Sequence, residues 1–196
     1  MKHRKAKVRR ITKETKVSIG VDLDGKGRYS ISTSISFIDH MLELFSKHSG
    51  VDLNVKSQGD TEIDDHHLVE DIGITFGEAL LKAIGNKKGI NRYGEARIPM
   101  DESLSGAYVD LSGRPYLEFK VKFKKMYREK FDYDLIEDFF RAFSYSGKLT
   151  LHIIAYYGRS NHHISESVFK ALAVAFKQAV SMNKKDGSLP STKGAL

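Results

Sequence analysis

The chain repeats itself. Asp65-His66-His67-Leu68-Val69-Glu70-Asp71-Ile72 lines up with Asn161-His162-His163-Ile164-Ser165-Glu166-Ser167-Val168 at a shift of 96 positions, and Ser49-Gly50 lines up with Ser146-Gly147 at a shift of 97. An internal repeat this long constrains the fold more than any local signal, because both halves must reach the same architecture. The hydrophobic spacing supplies that architecture. Val17 to Leu23 alternates as a half-buried strand, Asp24 to Gly27 turns, and Tyr29, Ile31, Thr33 and Ile35 read as its hairpin partner. Ile38, Met41, Leu42 and Phe45 switch to helical spacing, Val51, Leu53 and Val55 return to strand, and a helix is predicted from about Asp65 to Ile84. The order recurs after Gly89. Strand-like segments fall around Ala96–Leu111 and Tyr116–Phe123, followed by a helix over Leu135–Phe143, a strand over Leu149–Ile153 and a helix over about Asn161–Met182. The expectation is a single α+β domain made of two ββαβα halves, about 8–87 and 90–183, with a polar tail at 184–196.

Composition narrows the chemistry. There is no cysteine among the 196 residues, which excludes thiolate nucleophiles, disulfides, iron–sulfur clusters and cysteine-held zinc. No apolar run approaches the ~20 residues of a membrane span. The basic start, Met1 to Arg10, lacks the apolar stretch of a secretory signal, so a cytoplasmic location is expected. The net charge of +7 suits an anionic partner, either nucleic acid or a phosphorylated metabolite. The arm at Met1–Arg10 and the run Lys120–Lys130 are the segments a nucleic-acid module would use. Runs of this length usually form a solvated basic face, and no nucleic-acid partner is expected.

The sharpest chemical signal is His-His-x-x-Glu at the start of a helix, present twice. From eight His and eleven Glu, one such motif arises by chance on the order of 0.02 times. Asp65 and Asn161 are both candidate N-caps, which puts each histidine pair in a first helical turn with Glu70 or Glu166 beneath it. Adjacent helical residues diverge by ~100°, so one helix cannot easily wrap both imidazoles around one ion. Two copies can share ligands instead. His40 and His152 bring the set to six His and two Glu, enough for two metals with three nitrogens and one carboxylate each. Such donors suit manganese, iron, cobalt, nickel or zinc. If the second-half helix aligns at a shift of 98, Asp138 stands where His40 would fall, so the two sites are not identical.

These residues carry a resemblance. Phe37-Ile-Asp-His-Met-Leu42, Gly59-Asp60, Asp64 to Asp71, and Asn161 to Ala173 resemble the signatures of the imidazoleglycerol-phosphate dehydratase family. So do Glu14 in its Thr-Lys-Glu-Thr context, Asn91-Arg-Tyr-Gly94, Leu111-Ser-Gly-Arg-Pro115 and Pro190-Ser-Thr-Lys-Gly194. The resemblance implies helices sandwiched between two four-stranded sheets, 24-subunit particles with active sites between subunits, and two manganese ions per site. It implies dehydration of D-erythro-imidazoleglycerol phosphate to imidazole-acetol phosphate in histidine biosynthesis. By position it implies His40, His66, His67, Glu70, His152, His162, His163 and Glu166 as metal ligands. Arg92, Arg114, Ser191 and Lys193 match phosphate-binding positions, and Glu14, His48 and Lys170 match substrate-contacting ones.

The chemistry agrees with that implication. A substrate imidazole held through both nitrogens becomes electron-rich and can expel the hydroxyl on the attached carbon. The neighbouring C–H then turns acidic enough for a carboxylate to take its proton. Glu14 suits that work because it is not needed as a ligand, with Glu70 and Glu166 as the other catalytic carboxylates. Arg92 and Arg114 suit bidentate phosphate recognition. The alternative is a dinuclear metallohydrolase acting on a phosphate ester, although such enzymes usually rely on bridging carboxylates that this set largely lacks.

Overall fold

The computed structural model describes residues 4–62, 64–125, 130–183 and 187–194. The first half runs β1 (Lys5–Ile11), β2 (Thr15–Asp22), β3 (Tyr29–Ser32), α1 (Ser36–Ser49), β4 (Asp52–Gly59) and α2 (His66–Ile84). The second repeats it as β5 (Tyr93–Met100), β6 (Ser103–Asp110), β7 (Tyr116–Lys120), α3 (Leu135–Ser146), β8 (Thr150–Tyr157) and α4 (Asn161–Val180). The sheets have the same order, β1-β2-β4-β3 and β5-β6-β8-β7. Each ββαβα unit thus carries one further strand in front, which completes its sheet. In the first half that strand is hidden in the basic arm. Lys5, Lys7 and Arg9 point outward, while Ala6 and Val8 pack against the core. In the second half it is the first arm of a hairpin, with Asp101 at the turn holding φ +47°.

One pairing differs from expectation. The segment beginning at Tyr29 is not a hairpin partner of β2; β3 lies parallel to β4. Both edges of β2 are already filled, by β1 and by an antiparallel β4 matched from Thr15↔Gly59 to Asp22↔Asp52. A parallel neighbour needs a crossover, and α1 provides it. The Asp24–Gly27 turn is instead tied to the end of α1, where Gly27 N–H donates to Gly50 O at 2.9 Å.

Helices fill the space between the sheets. α2 rests on β1, β2 and β4, and α4 rests on β5, β6 and β8. The halves interlock as well, because α1 packs on α4 and α3 packs on α2. Phe45 of α1 meets Phe76 of α2 at 5.1 Å and Phe176 of α4 at 5.6 Å, and Phe76 meets Phe143 of α3 at 5.3 Å. All four rings are fully buried, each contributing about 2–3 kcal/mol of apolar transfer. α2 meets α3 closely at Gly73, where a Cβ would lie 2.6 Å from Phe139 O. The repeat-equivalent position on α4 is Phe169, whose ring meets Phe140 at 4.9 Å, tilted by 41°.

The expected caps are displaced by one residue. Asp65 has helical backbone and no side-chain cap bond; Asp64 Oδ1 accepts from His66 N–H at 2.8 Å instead. Ser160, extended at φ −93°, caps α4 by accepting from His163 N–H at 3.3 Å. The Asn161 amide is drawn away to the backbone of Lys124, accepting at 2.9 Å and donating at 2.8 Å. Both histidine pairs still begin their helices. Of the basic run, β7 holds only Lys120, and residues 126–129 lie outside the described residues. Residues 1–3 of the arm and 184–186 and 195–196 of the tail also lie outside them.

Candidate functional site

The first-turn histidines of each helix diverge as the helical geometry requires. The rings of His66 and His67 are 6.0 Å apart at 74°, and those of His162 and His163 are 6.2 Å apart at 78°. Each therefore finds its own carboxylate. His40 of α1 reaches across to α4. Its ring stacks on His162 at 5.8 Å, and its Nε2 lies 3.5 Å from Glu166 Oε1, which is 3.0 Å from His162 Nε2. One donor atom from each of the three lies within 4.8 Å of the others, a ready cation site of two nitrogens and an oxygen. Glu166 is only 10% exposed, and Lys170 Nζ holds its other oxygen at 2.7 Å. Burial would raise this carboxyl, but the Lys170 ammonium and His40 keep it below the ordinary carboxylate range. His48, at the far end of α1, is lowered by partial burial and by the same ammonium.

The pseudo-equivalent place in the other half is built from α2 and α3. His66 Nδ1 faces Asp138 Oδ2 at 3.5 Å, so the residue that replaces His40 in the repeat does reach the equivalent histidine. Glu70, one turn below His66, is exposed. His67 Nδ1 lies 3.4 Å from Asp60 Oδ2 and 3.8 Å from Glu14 Oε2, and the Asp60 contact, then Glu14, raises its pKa above the usual imidazole value. His163 Nδ1 pairs with Glu102 Oε2 at 2.7 Å.

The remaining residues gather elsewhere. Arg92 holds a left-handed backbone, φ +72°, and its guanidinium clasps Asp110 at 2.7 and 3.2 Å while donating to Pro190 O at 2.9 Å. That last bond, with Gly89 N–H to Ser188 O at 2.9 Å, straps the tail carrying Ser191 and Lys193 beside the loop after α2. Arg114, 69% exposed, extends to 3.9 Å from Asp110, and the buried Lys87 stands in the field of the same groups. His152 lies near this basic end on the outer face of β8, with its ring 5.8 Å from Tyr116. It lines a cavity of about 420 Å³ with Tyr93, Tyr108, Asp110, Thr150 and Gln178.

The comparisons identify the scaffold. The family model for imidazoleglycerol-phosphate dehydratase matches residues 33–176. The chain is 54% identical to the imidazoleglycerol-phosphate dehydratase of Endomicrobium trichonymphae over all of both chains. It is 53% identical to that of Syntrophus aciditrophicus, with 98% of each covered. The chain belongs to the imidazoleglycerol-phosphate dehydratase family. It is a hydro-lyase of histidine biosynthesis. Two solved structures of this family share the duplicated α+β sandwich. The Staphylococcus aureus enzyme superposes with TM-score 0.82 at 41% identity, covering 91% of this chain and 99% of that one. The Pyrococcus furiosus enzyme, in complex with (S)-C348, superposes with TM-score 0.83 at 35% identity, covering 96% and 100%. Among the described residues no helix is long and apolar enough to cross a membrane.

Within this family scaffold the anticipated residues divide between two ends of one chain. Ala179 O, which accepts from Arg92 N–H, lies 13 residues along α4 from Glu166, or ~20 Å. β6 runs from beside Glu102 to Asp110, ~23 Å. His152 lies on the face of its sheet opposite to the one that α4 covers, since its neighbours Leu151 and Ile153 fill the core. Glu102 joins these residues although no motif surrounds it in the sequence. Its signal is positional, because it occupies the second-half hairpin turn as Glu14 occupies the first, 88 residues earlier (102 − 14).

Proposed function

We propose that the chain dehydrates D-erythro-imidazoleglycerol phosphate to imidazole-acetol phosphate at sites built between copies of itself, with two manganese ions per site. The separation of the two ends carries this reading. An imidazole ring, three carbons and a phosphate span about 10 Å, about half of the ~20 Å of α4 that lies between Glu166 of the His40–His162–Glu166 cluster and Ala179, where the backbone of Arg92 attaches. A substrate gripped at both ends must draw its ring ligands from one copy and its phosphate ligands from another, which accords with the 24-subunit particle that the family resemblance implies. His152, on an outer sheet face, is suited to complete the ligand set of a neighbouring copy.

The donor set fits the metal. Imidazole nitrogens from His40, His66, His67, His152, His162 and His163, with carboxylates from Glu70 and Glu166, offer the mixed nitrogen and oxygen shell that manganese accepts. When bound, the ions supply Lewis-acid charge against the ring nitrogens of the substrate. The chain's other residues do the rest. Arg92, Arg114, Ser191 and Lys193 hold the phosphate and fix the glycerol chain in register, aided by His48 and Lys170 on the approach. The hydroxyl on the carbon attached to the ring leaves with the C–O electron pair, Glu14 takes the proton from the neighbouring carbon, and hydroxide and proton together make the one water released. The resulting enol gains a proton at the ring-side carbon and loses the one on its oxygen to become the ketone. Glu14 is 55% exposed and only 3.8 Å from His67, so it stands beside the ring site with its carboxylate uncommitted.

An anaerobic assay of purified protein with and without manganese tests the reading. Manganese-dependent formation of imidazole-acetol phosphate, by a particle that elutes far above the 22.1 kDa chain, is expected. Release of inorganic phosphate without the ketone would replace it with the hydrolase.

A further inference from the structure

The repeat extends to the hairpin turns, and there the two halves part company. Glu14 between β1 and β2, and Glu102 between β5 and β6, occupy equivalent positions, and each faces the second histidine of its own half. Glu14 makes only a loose approach, 3.8 Å to His67 Nδ1. Glu102 is locked. Its Oε2 sits 2.7 Å from His163 Nδ1, and its Oε1 accepts from Ser160 N–H at 2.9 Å, Arg159 N–H at 3.1 Å and the Ser103 hydroxyl at 3.3 Å. In the first half the close partner of His67 is Asp60, which follows β4. The position equivalent to Asp60 after β8 is Gly158, at a shift of 98. No side chain fits there: a Cβ would lie 2.4 Å from Ile164 Cγ1 and 2.6 Å from Ser103 Oγ.

We propose that the halves have exchanged one task, with Asp60 steadying His67 so that Glu14 stays free, and Glu102 serving as the positioning residue that turns His163 Nε2 toward the metal. A carboxylate accepting the Nδ1 proton fixes the tautomer whose Nε2 lone pair can bind a cation, and such partners commonly set metal affinity. The backbone N–H groups of Arg159 and Ser160 and the Ser103 hydroxyl hold Glu102 in place, so the imidazole is oriented before any ion arrives. Glu14, relieved of this duty by Asp60, has its carboxylate available to the substrate. The inference rests on the metal reading proposed above.

Glu102→Gln separates orientation from folding. Its amide oxygen can still accept from Ser160 and Arg159, while its amide nitrogen would face His163 Nδ1 and favour the tautomer with the proton on Nε2. Manganese affinity, measured by metal content after dialysis at fixed free manganese, is expected to fall about 10–100-fold, with Tm moved by less than about 4 °C. Asp60→Asn is expected to weaken manganese binding comparably through His67, and Glu14→Gln to leave it unchanged. A variant with lowered Tm whose folded fraction binds manganese as tightly as wild type overturns the role of Glu102, as does unchanged affinity at unchanged Tm. Wild-type protein that binds no manganese overturns the metal reading itself.

Discussion

His40 Nε2 lies 3.5 Å from Glu166 Oε1, although one belongs to the first half of the repeat and the other to the second. The reciprocal contact, Asp138 Oδ2 to His66 Nδ1, is also 3.5 Å and also crosses the halves. The packing of α1 on α4 and of α3 on α2 creates both. Neither half can make its histidine–carboxylate contact alone, which gives a physical reason for the halves to remain fused. The asymmetry, histidine at one crossing and aspartate at the other, gives the two sites different donor sets.

Glu166→Gln is expected to strip manganese from the His40–His162 cluster while the second ion, held by other ligands, stays. The neutral amide leaves Lys170, only 16% exposed, without its ion-pair partner, and removes the one anionic donor of the cluster. Metal analysis should report about half of the wild-type manganese, and turnover should drop by at least ~100-fold. Full manganese content would remove Glu166 from the ligands.

Glu14→Gln should behave oppositely. With no ligand changed, manganese content and particle size are expected to match wild type, while kcat falls by about 10²–10⁴ as expected for loss of a general base. Steady-state kinetics beside metal analysis checks this, and retained turnover would assign proton transfer elsewhere.

Acid stability should depend on Asp52. Its carboxylate closes the turn before β3, accepting from Lys26 N–H at 2.7 Å and Arg28 N–H at 2.9 Å and meeting the Arg28 guanidinium at 2.7 Å. Burial works to raise its pKa, but the Arg28 side chain and the two amides outweigh that and bring it to about 2. Because the folded value is depressed, the stabilisation is complete above the unfolded carboxyl pKa near 4 and is lost as pH falls toward 2. Asp52→Asn should cost about 1 kcal/mol at neutral pH and flatten the stability profile between pH 4 and 2, measured by urea unfolding across that range. An unchanged slope would contradict the assignment.

Much of this was legible in the residues. The alternation in β2, β4 and β8 and the helical spacing in all four helices predicted the elements, and the doubled His-His-x-x-Glu marks the two helix starts that carry the candidate ligands. β1 was not legible because Lys5, Lys7 and Arg9 fill its outward positions and Arg10, paired with Asp71 at 2.6 Å, takes an inward one. The parallel placement of β3 was not legible either, since a four-residue strand records nothing of which neighbour has a free edge. In the site, the division of labour between Asp60 and Glu102 depends on Gly158 being too crowded for a side chain, a fact of three-dimensional packing. The separation of the His40–His162–Glu166 cluster from the basic end likewise emerges only once the lengths of α4 and β6 are laid between them.

Mixing two inactive variants tests the intersubunit site most directly. Glu166→Gln damages the ring end and spares Arg114; Arg114→Ala damages the phosphate end and spares Glu166, and its side chain, 69% exposed, leaves the fold intact when removed. If each substrate takes its ring ligands from one copy and its phosphate ligands from another, co-assembled particles with equal amounts of the two should recover about a quarter of wild-type turnover. Mixed particles as inactive as the parents would show that both ends act within one chain, and would contradict the account.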